Sequence, residues 1–458
     1  MTKKTFHIPY LSQFKKGLLW TFIDSFGSQG LVILFHLLFR TYAGIILHGV
    51  LGCTLSLIYL AVAIANIGLD SSLAPFLEIF SASKKRFWLL AYLVVIPQAF
   101  FLGIICVSFY LSISYIPYIP FFKALAPYFS SDFFNYGLLI FFLESMRKTF
   151  RTFLQLSFYF RFAALIELLG VVINILGIVA LNRYQHLTLL TSLQVLLYAS
   201  LFQSVALVGG LASWYSTLSN REATTVHRLE LFIRITKTRF FTWILNCLHQ
   251  LYSGNFLVPV CAFQFGIESA SLMKVISSIS YWITLVAKKS LGITSNALLA
   301  HLKSRSLETQ AHAFHFLTEV FNQILYGLFI FLLVNGRKIA LLQGAQGEPI
   351  TWALLYGMVI LTFLESLFVL YEKWYILEED VHTYLGFNLI SIGLLYLSIQ
   401  SLQSPVAIVL TIIGMRVATF ILLSLFSFYR WNIWPSLKPH RRMLIVACAI
   451  AGIGYIVL

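Results

Sequence analysis

Thirteen long apolar segments run almost back to back through the 458 residues of this chain, and that pattern leaves few folds open. A helix needs about 20 apolar residues to span the hydrocarbon core, and inside lipid every backbone polar group must be satisfied within a helix or a closed barrel. The segments fall at residues 17–39, 50–80, 87–114, 133–157, 161–181, 189–213, 240–263, 268–292, 316–335, 351–371, 383–400, 405–428 and 443–458. Outer-membrane strands keep every second residue polar, which these segments do not. Apolar side chains make up 59% of the chain and charged ones 11%, far from the balance of a soluble domain. The expected fold class is therefore an all-α polytopic membrane protein of 12–14 transmembrane helices, with 13 counted and the last one short.

A formal net charge of +15 suggests nucleic acid at first sight, but the basic residues follow the loops. Cytoplasmic loops carry the Lys and Arg excess in membrane proteins. With the N-terminus inside and the spans alternating, 25 of the 32 Lys and Arg fall on the inner side and 5 on the outer, while Lys274 and Arg416 lie within spans. That bias predicts a cytoplasmic N-terminus and explains the basicity without a nucleic-acid partner. The first span carries Asp24 and has no small-residue cleavage site after it, so it reads as a retained helix. Cys53, Cys106, Cys247, Cys261 and Cys448 all fall inside spans without CxxC spacing, which implies neither disulfides nor a zinc site.

The loops offer an enzyme little to work with. The largest outer connection, residues 115–132, is punctuated by Pro117, Pro120 and Pro127, and the loop at residues 40–49 has no carboxylate. General acid–base chemistry at the membrane surface needs placed carboxylates, His or Arg. No phosphate-binding glycine loop, dinucleotide fingerprint or nucleophile elbow is present, so no cofactor and no catalytic residue is expected. His301, His312 and His315 flank a charged loop and read as a solvated face rather than a metal site. The longest inner connection, residues 214–239, divides the chain near its middle. Six spans precede it, so both halves start on the same side, as in transporters built from parallel repeats. Trp20 with Asp24 in the first span is echoed loosely by Trp243 with Asn246 in the seventh.

Charges at membrane depth cost about 2.5–3.5 kcal/mol on insertion scales and normally face the bundle interior or water. Glu144, Arg147, Lys148 and Arg151 stand at i, i+3, i+4 and i+7 and share one helix face. Two readings are open for them: a cationic stripe suited to phosphate or acidic sugar, or positive-inside anchors at a helix end. Arg416 lies about 16 Å into its span at ~1.5 Å per residue, beyond easy reach of either surface. Lys274 lies about 10 Å in by the same rise, where its stem can snorkel. Asp24, Glu167 and Glu365 occupy inner halves of their spans and read either as ion-coupling carboxylates or as partners of the intramembrane cations.

Residues 38–78, with Arg40 closing a helix before a short Gly-containing turn and Gly68–Leu69 closing the next, resemble the first two helices of polysaccharide flippases of the Wzx type. Residues 147–181, RKTFRTFLQLSFYFRFAALIELLGVVINILGIVAL, are similar to that family's fourth and fifth helices, and residues 265–289, with Lys274 soon after Gly266, to its eighth. These flippases belong to the multidrug/oligosaccharidyl-lipid/polysaccharide exporter superfamily. The resemblance implies a MATE-like fold: two six-helix lobes around a central cavity that opens alternately to each side. Residues 1–218 would form the first lobe, 219–239 a cytoplasmic linker, 240–429 the second lobe, and 430–458 a basic loop with a short additional span. It further implies a monomeric transporter in the bacterial inner membrane, moving a polyprenyl-pyrophosphate-linked oligosaccharide outward with H+ or Na+ coupling, beside other polysaccharide-assembly membrane proteins. Arg147, Lys148, Arg151, Lys274 and Arg416 would then attract the substrate, and Asp24, Glu167 and Glu365 would couple the ion. Two alternatives stand beside it: an ion-coupled small-molecule exporter on the same scaffold, and a membrane polymerase or ligase acting on the same lipid-linked sugars.

Overall fold

The structure is a computed structural model that describes residues 11–66, 83–112, 126–128, 130–157, 159–218, 228–251, 253–286, 307–342, 348–377, 381–399 and 404–431, with a few single positions between them. Regular structure among the described residues is helical throughout. Seven helices there are long and apolar enough to cross a membrane.

The first helix, α1 (Leu11–Ala65), contains the first expected span and the first part of the second in one run, broken at Gly44. There φ is 83° and ψ 171°, a conformation in which a Cβ would be strained. The break bends the chain sharply. His36 and His48 stand twelve positions apart, about 18 Å in a straight helix, yet their ring nitrogens are 3.3 Å apart. The second expected span runs to residue 80; α1 ends at Ala65 and Asn66 turns, and most of residues 67–80 lie outside the described residues.

Next come α2 (Lys84–Leu90) and α3 (Ile96–Leu111), joined without interruption through a π-helical turn at Ala91–Val95. Pro97 supplies the cause, because it has no N–H to donate and its ring crowds the carbonyl four residues back. Helices α4 (Ser131–Leu156) and α6 (Leu189–Thr217) start on side-chain caps. Ser130 accepts from the amide of Phe133, and Thr188 exchanges bonds with Thr191. Between them lies α5 (Phe160–Arg183).

The chain resumes in α7 (Arg228–Gln250), which takes up the second part of the connection expected at 219–239. The seventh span, expected as one piece, is interrupted before α8 (Gly254–Phe265). Gly266 then joins α8 to α9 (Ile267–Leu285) with φ 90° and ψ 171°, nearly the angles of Gly44. Among the described residues there follow α10 (Leu307–Leu342), α11 (Pro349–Leu377), α12 (Val381–Ile399) and α13 (Pro405–Trp431). The thirteenth segment lies mostly outside the described residues. Its described positions Ile445, Cys448, Ala451 and Gly452 are helical, and Asn335 on α10 donates to the Ala451 carbonyl at 3.0 Å.

Two apolar cores organise the packing. One gathers Phe35, Phe39 and Leu51 of α1 with Leu102 of α3, Ile140 of α4, Ile178 of α5 and Leu193 of α6. The other joins Val258 of α8, Ile276 and Ile279 of α9, Leu325 of α10, Leu355 of α11 and Ile412 of α13, and Val50 and Cys53 of α1 belong to it as well. The outward faces are as apolar as the cores: Leu201, Val205 and Val208 stand exposed along α6, and Leu410, Ile421 and Leu425 along α13. Lipid therefore solvates these surfaces, and it is the polar residues that turn inward.

Candidate functional site

Buried polar side chains gather in two ion clusters and a smaller polar seam. The first cluster lies among α1, α4, α5 and α6. Arg147 Nη1 of α4 donates to Glu167 Oε2 of α5 at 2.7 Å and to Gln203 Oε1 of α6 at 3.1 Å, and Nη2 donates to Glu144. One turn along α4, Arg151 pairs with Asp24 of α1 and with Glu167 Oε1 at 3.0 Å. Ser200 donates to the other oxygen of Glu144 at 2.5 Å. A Cβ at Gly170 would fall 2.0 Å from the Gln203 amide nitrogen, so this glycine makes the room that lets Gln203 reach in.

Arg147 and Arg151 are inside the bundle rather than surface anchors, yet each bonds two carboxylates. Three carboxylates, Asp24, Glu144 and Glu167, face these two guanidiniums, so the local balance is not cationic. Lys148, on the same stripe, is half-buried.

The second cluster lies among α7, α11, α12 and α13. Arg416, with 0% exposure, pairs with Glu365 and donates to Asn388 Oδ1 at 2.7 Å. Its guanidinium carbon also lies 3.9 Å from the centre of the Phe368 ring, a desolvated cation–π contact. His249 bridges two carboxylates, with Nδ1 3.3 Å from Glu365 and Nε2 3.5 Å from Glu372. Arg416 of α13 and Glu365 of α11 thus meet inside the bundle.

The two clusters repeat one another along the chain. Glu144 and Glu365, Glu167 and Asn388, and Arg151 and Glu372 are each 221 residues apart. The charge order inverts between them. In the first, an acid on α1 meets a base on α4; in the second, the imidazole on α7 meets acids on α11. Sequence reasoning passed over His249, Glu372, Asn388 and Gln203. The available signal was the i, i+7 spacing of Glu365 and Glu372 on one helix face, together with a histidine inside an apolar span.

Lys274 joins neither cluster. It rises from α9 against α1, where its amine donates to Ser56 Oγ at 3.3 Å and its stem lies over Gly52, whose added Cβ would be 3.0 Å from Cγ. Beside it, His48 Nδ1 meets Ser271 Oγ at 2.9 Å and Gln29 donates to the Ser278 carbonyl at 2.6 Å. These contacts form a continuous polar seam along one face of α9. Among the described residues no group of three or more His, Cys, Asp or Glu is arranged to hold a metal ion; His301 and the side chains of His312 and His315 lie outside them.

Comparison by sequence finds no matching family model and no matching curated protein. Comparison by structure finds many. An inward-facing multidrug resistance MATE family transporter of the MOP superfamily aligns with a TM-score of 0.62 at 14% identity, over 88% of this chain and 94% of that one. The outward-facing conformation of such a transporter aligns at 0.63 and 14%, over 91% and 96%. The eukaryotic MATE transporter AtDTX14 aligns at 0.64 and 13%, over 96% and 99%. Near-complete coverage of both chains makes the likeness one of whole architecture, and the fold of this chain is that of the MATE family transporters.

Proposed function

We propose that the chain is an ion-coupled flippase that carries an anionic, lipid-linked oligosaccharide outward by alternating access between two lobes, with its N-terminus in the cytoplasm. The observation that carries this reading is the environment of Lys274. Of the five cations singled out from the sequence, Arg147, Arg151 and Arg416 spend their charge on carboxylates within their own clusters. Lys274 bonds a serine hydroxyl instead, at the contact between α1 and α9, where the two halves of the chain meet. An ammonium held by a neutral donor–acceptor retains its capacity for phosphate or an acidic sugar. In this reading Asp24, Glu144, Glu167, Glu365 and Glu372 belong to the ion-coupling and lobe-stabilising machinery.

A second reading, export of small organic cations, draws on the excess of carboxylates in the first cluster. Reconstitution into liposomes separates the two. Transfer of a fluorescent polyprenyl-pyrophosphate oligosaccharide between leaflets, lost in Lys274→Ala and retained in Lys274→Arg, supports the flippase. Ion-gradient-dependent efflux of organic cations without lipid transfer would reject it. Lengthening of the glycan during the assay would instead mark a polymerase.

A further inference from the structure

The polar seam between α1 and α9 contains a histidine pair that neither ion cluster uses. His36 and His48, on opposite arms of the Gly44 bend, are 4% and 0% exposed. Their rings meet edge to face, with Nδ1 of His36 3.3 Å from Nε2 of His48. That contact needs one ring to donate and the other to accept. The remaining nitrogen of His48 reaches across to Ser271 on α9 at 2.9 Å, so the pair ties the bend of the first half of the chain to the start of α9 in the second.

The fit around it is close. A Cβ at Gly49 would lie 2.5 Å from the carbonyl oxygen of Ile267, so α1 and α9 approach here as nearly as backbones allow. The rings lie within electrostatic reach of two cations, Lys274 on α9 for both rings and Arg40 on α1 for His48. Other titratable groups nearby are Cys53 on α1, beside Lys274, Cys261 on α8, in the apolar cluster that also holds Cys53, and the exposed Glu268, one turn before Ser271 on α9.

We propose that His36 and His48 form a proton-sensitive latch that closes this end of the seam when both are neutral and releases it when protonated. A proton on either ring adds a second cation beside Lys274 in a desolvated contact. A proton on both rings also leaves neither nitrogen able to accept, which removes the link between them. Separation of α1 from α9 lets water reach the rings, where an ordinary histidine takes up its proton near pH 6.5 (about). The open form therefore binds more protons than the closed one, and falling pH favours opening. One proton taken up per opening gives about a tenfold rise in the open-to-closed ratio for each pH unit below about 6.5.

This inference rests on the two-lobed transporter reading, but its test needs no substrate. Spin labels at Tyr42 and Glu268, two exposed residues that flank the Gly44 and Gly266 turns, report the width of the seam in a cysteine-free background by electron–electron distance measurement. The expected result is a longer-distance population that grows between pH 7.5 and pH 5.5, and that no longer responds to pH in the His36→Gln/His48→Gln variant. Ser271→Ala, which cuts the tie but keeps both rings, should raise the open population at every pH and retain the slope. A distance distribution in the parent protein that ignores pH, an unaltered pH response in the double glutamine variant, or an unchanged closed population in Ser271→Ala each overturns the latch. Loss of lipid transfer in Lys274→Ala with the pH response intact leaves the latch standing, and the converse result leaves the flippase standing.

Discussion

Arg416→Met isolates the energetics of the second cluster. The guanidinium is fully buried, pairs with Glu365, holds Asn388 and covers Phe368, while methionine fills much of the same volume without charge. Removing one partner of a buried pair leaves the other uncompensated, at a cost of roughly 3–5 kcal/mol. Glu365 would keep His249 as a neighbour at 3.3 Å. Glu365→Gln should cost a similar amount by exposing Arg416 to the same deficit. The double variant removes both charges and should lose only the displaced hydrogen bonds, about 1–2 kcal/mol, so it should be more stable than either single variant. Denaturant titration of the purified protein in mixed micelles, followed by tryptophan fluorescence, measures all three. A double variant destabilised by the sum of the two single effects would refute the pairing, since additivity is the signature of residues that do not interact.

Three further outcomes follow from the packing. Gly44→Ala and Gly266→Ala should each destabilise the protein by about 1–3 kcal/mol, because both positions hold a positive φ that a Cβ resists; thermal unfolding in detergent checks this. Gly170→Ala should displace Gln203 from Arg147 and lower the unfolding temperature, whereas Gly137→Ala in α4, with open space around it, should raise stability slightly, by up to about 1 kcal/mol of helix propensity. Asp24→Asn should cost less than Arg151→Met, because Arg151 keeps Glu167 at 3.0 Å, whereas loss of Arg151 strips Asp24 of its guanidinium partner; the same denaturant titration ranks the two.

The sequence by itself determined the class of this protein and which of its charges fall within apolar segments. Lipid permits only elements that satisfy their own backbone, so apolar length alone yields helices, and it places Asp24, Glu144, Arg147, Arg151, Glu167, Glu365 and Arg416 within spans while leaving open whether the α4 stripe faces the interior or anchors a helix end. Bends and breaks within spans were harder to read. Gly44 and Gly266 act through backbone angles, and the π turn before Pro97 through a missing donor, neither of which changes hydropathy. Only the tertiary structure decided which charges meet. The stripe on α4 looked cationic because its carboxylate partners Asp24 and Glu167 stand 127 and 16 positions from Arg151 along the chain, on other helices. Periodicity reports the face on which a residue stands, but electrostatics depends on what stands opposite, and that is fixed only when the helices pack.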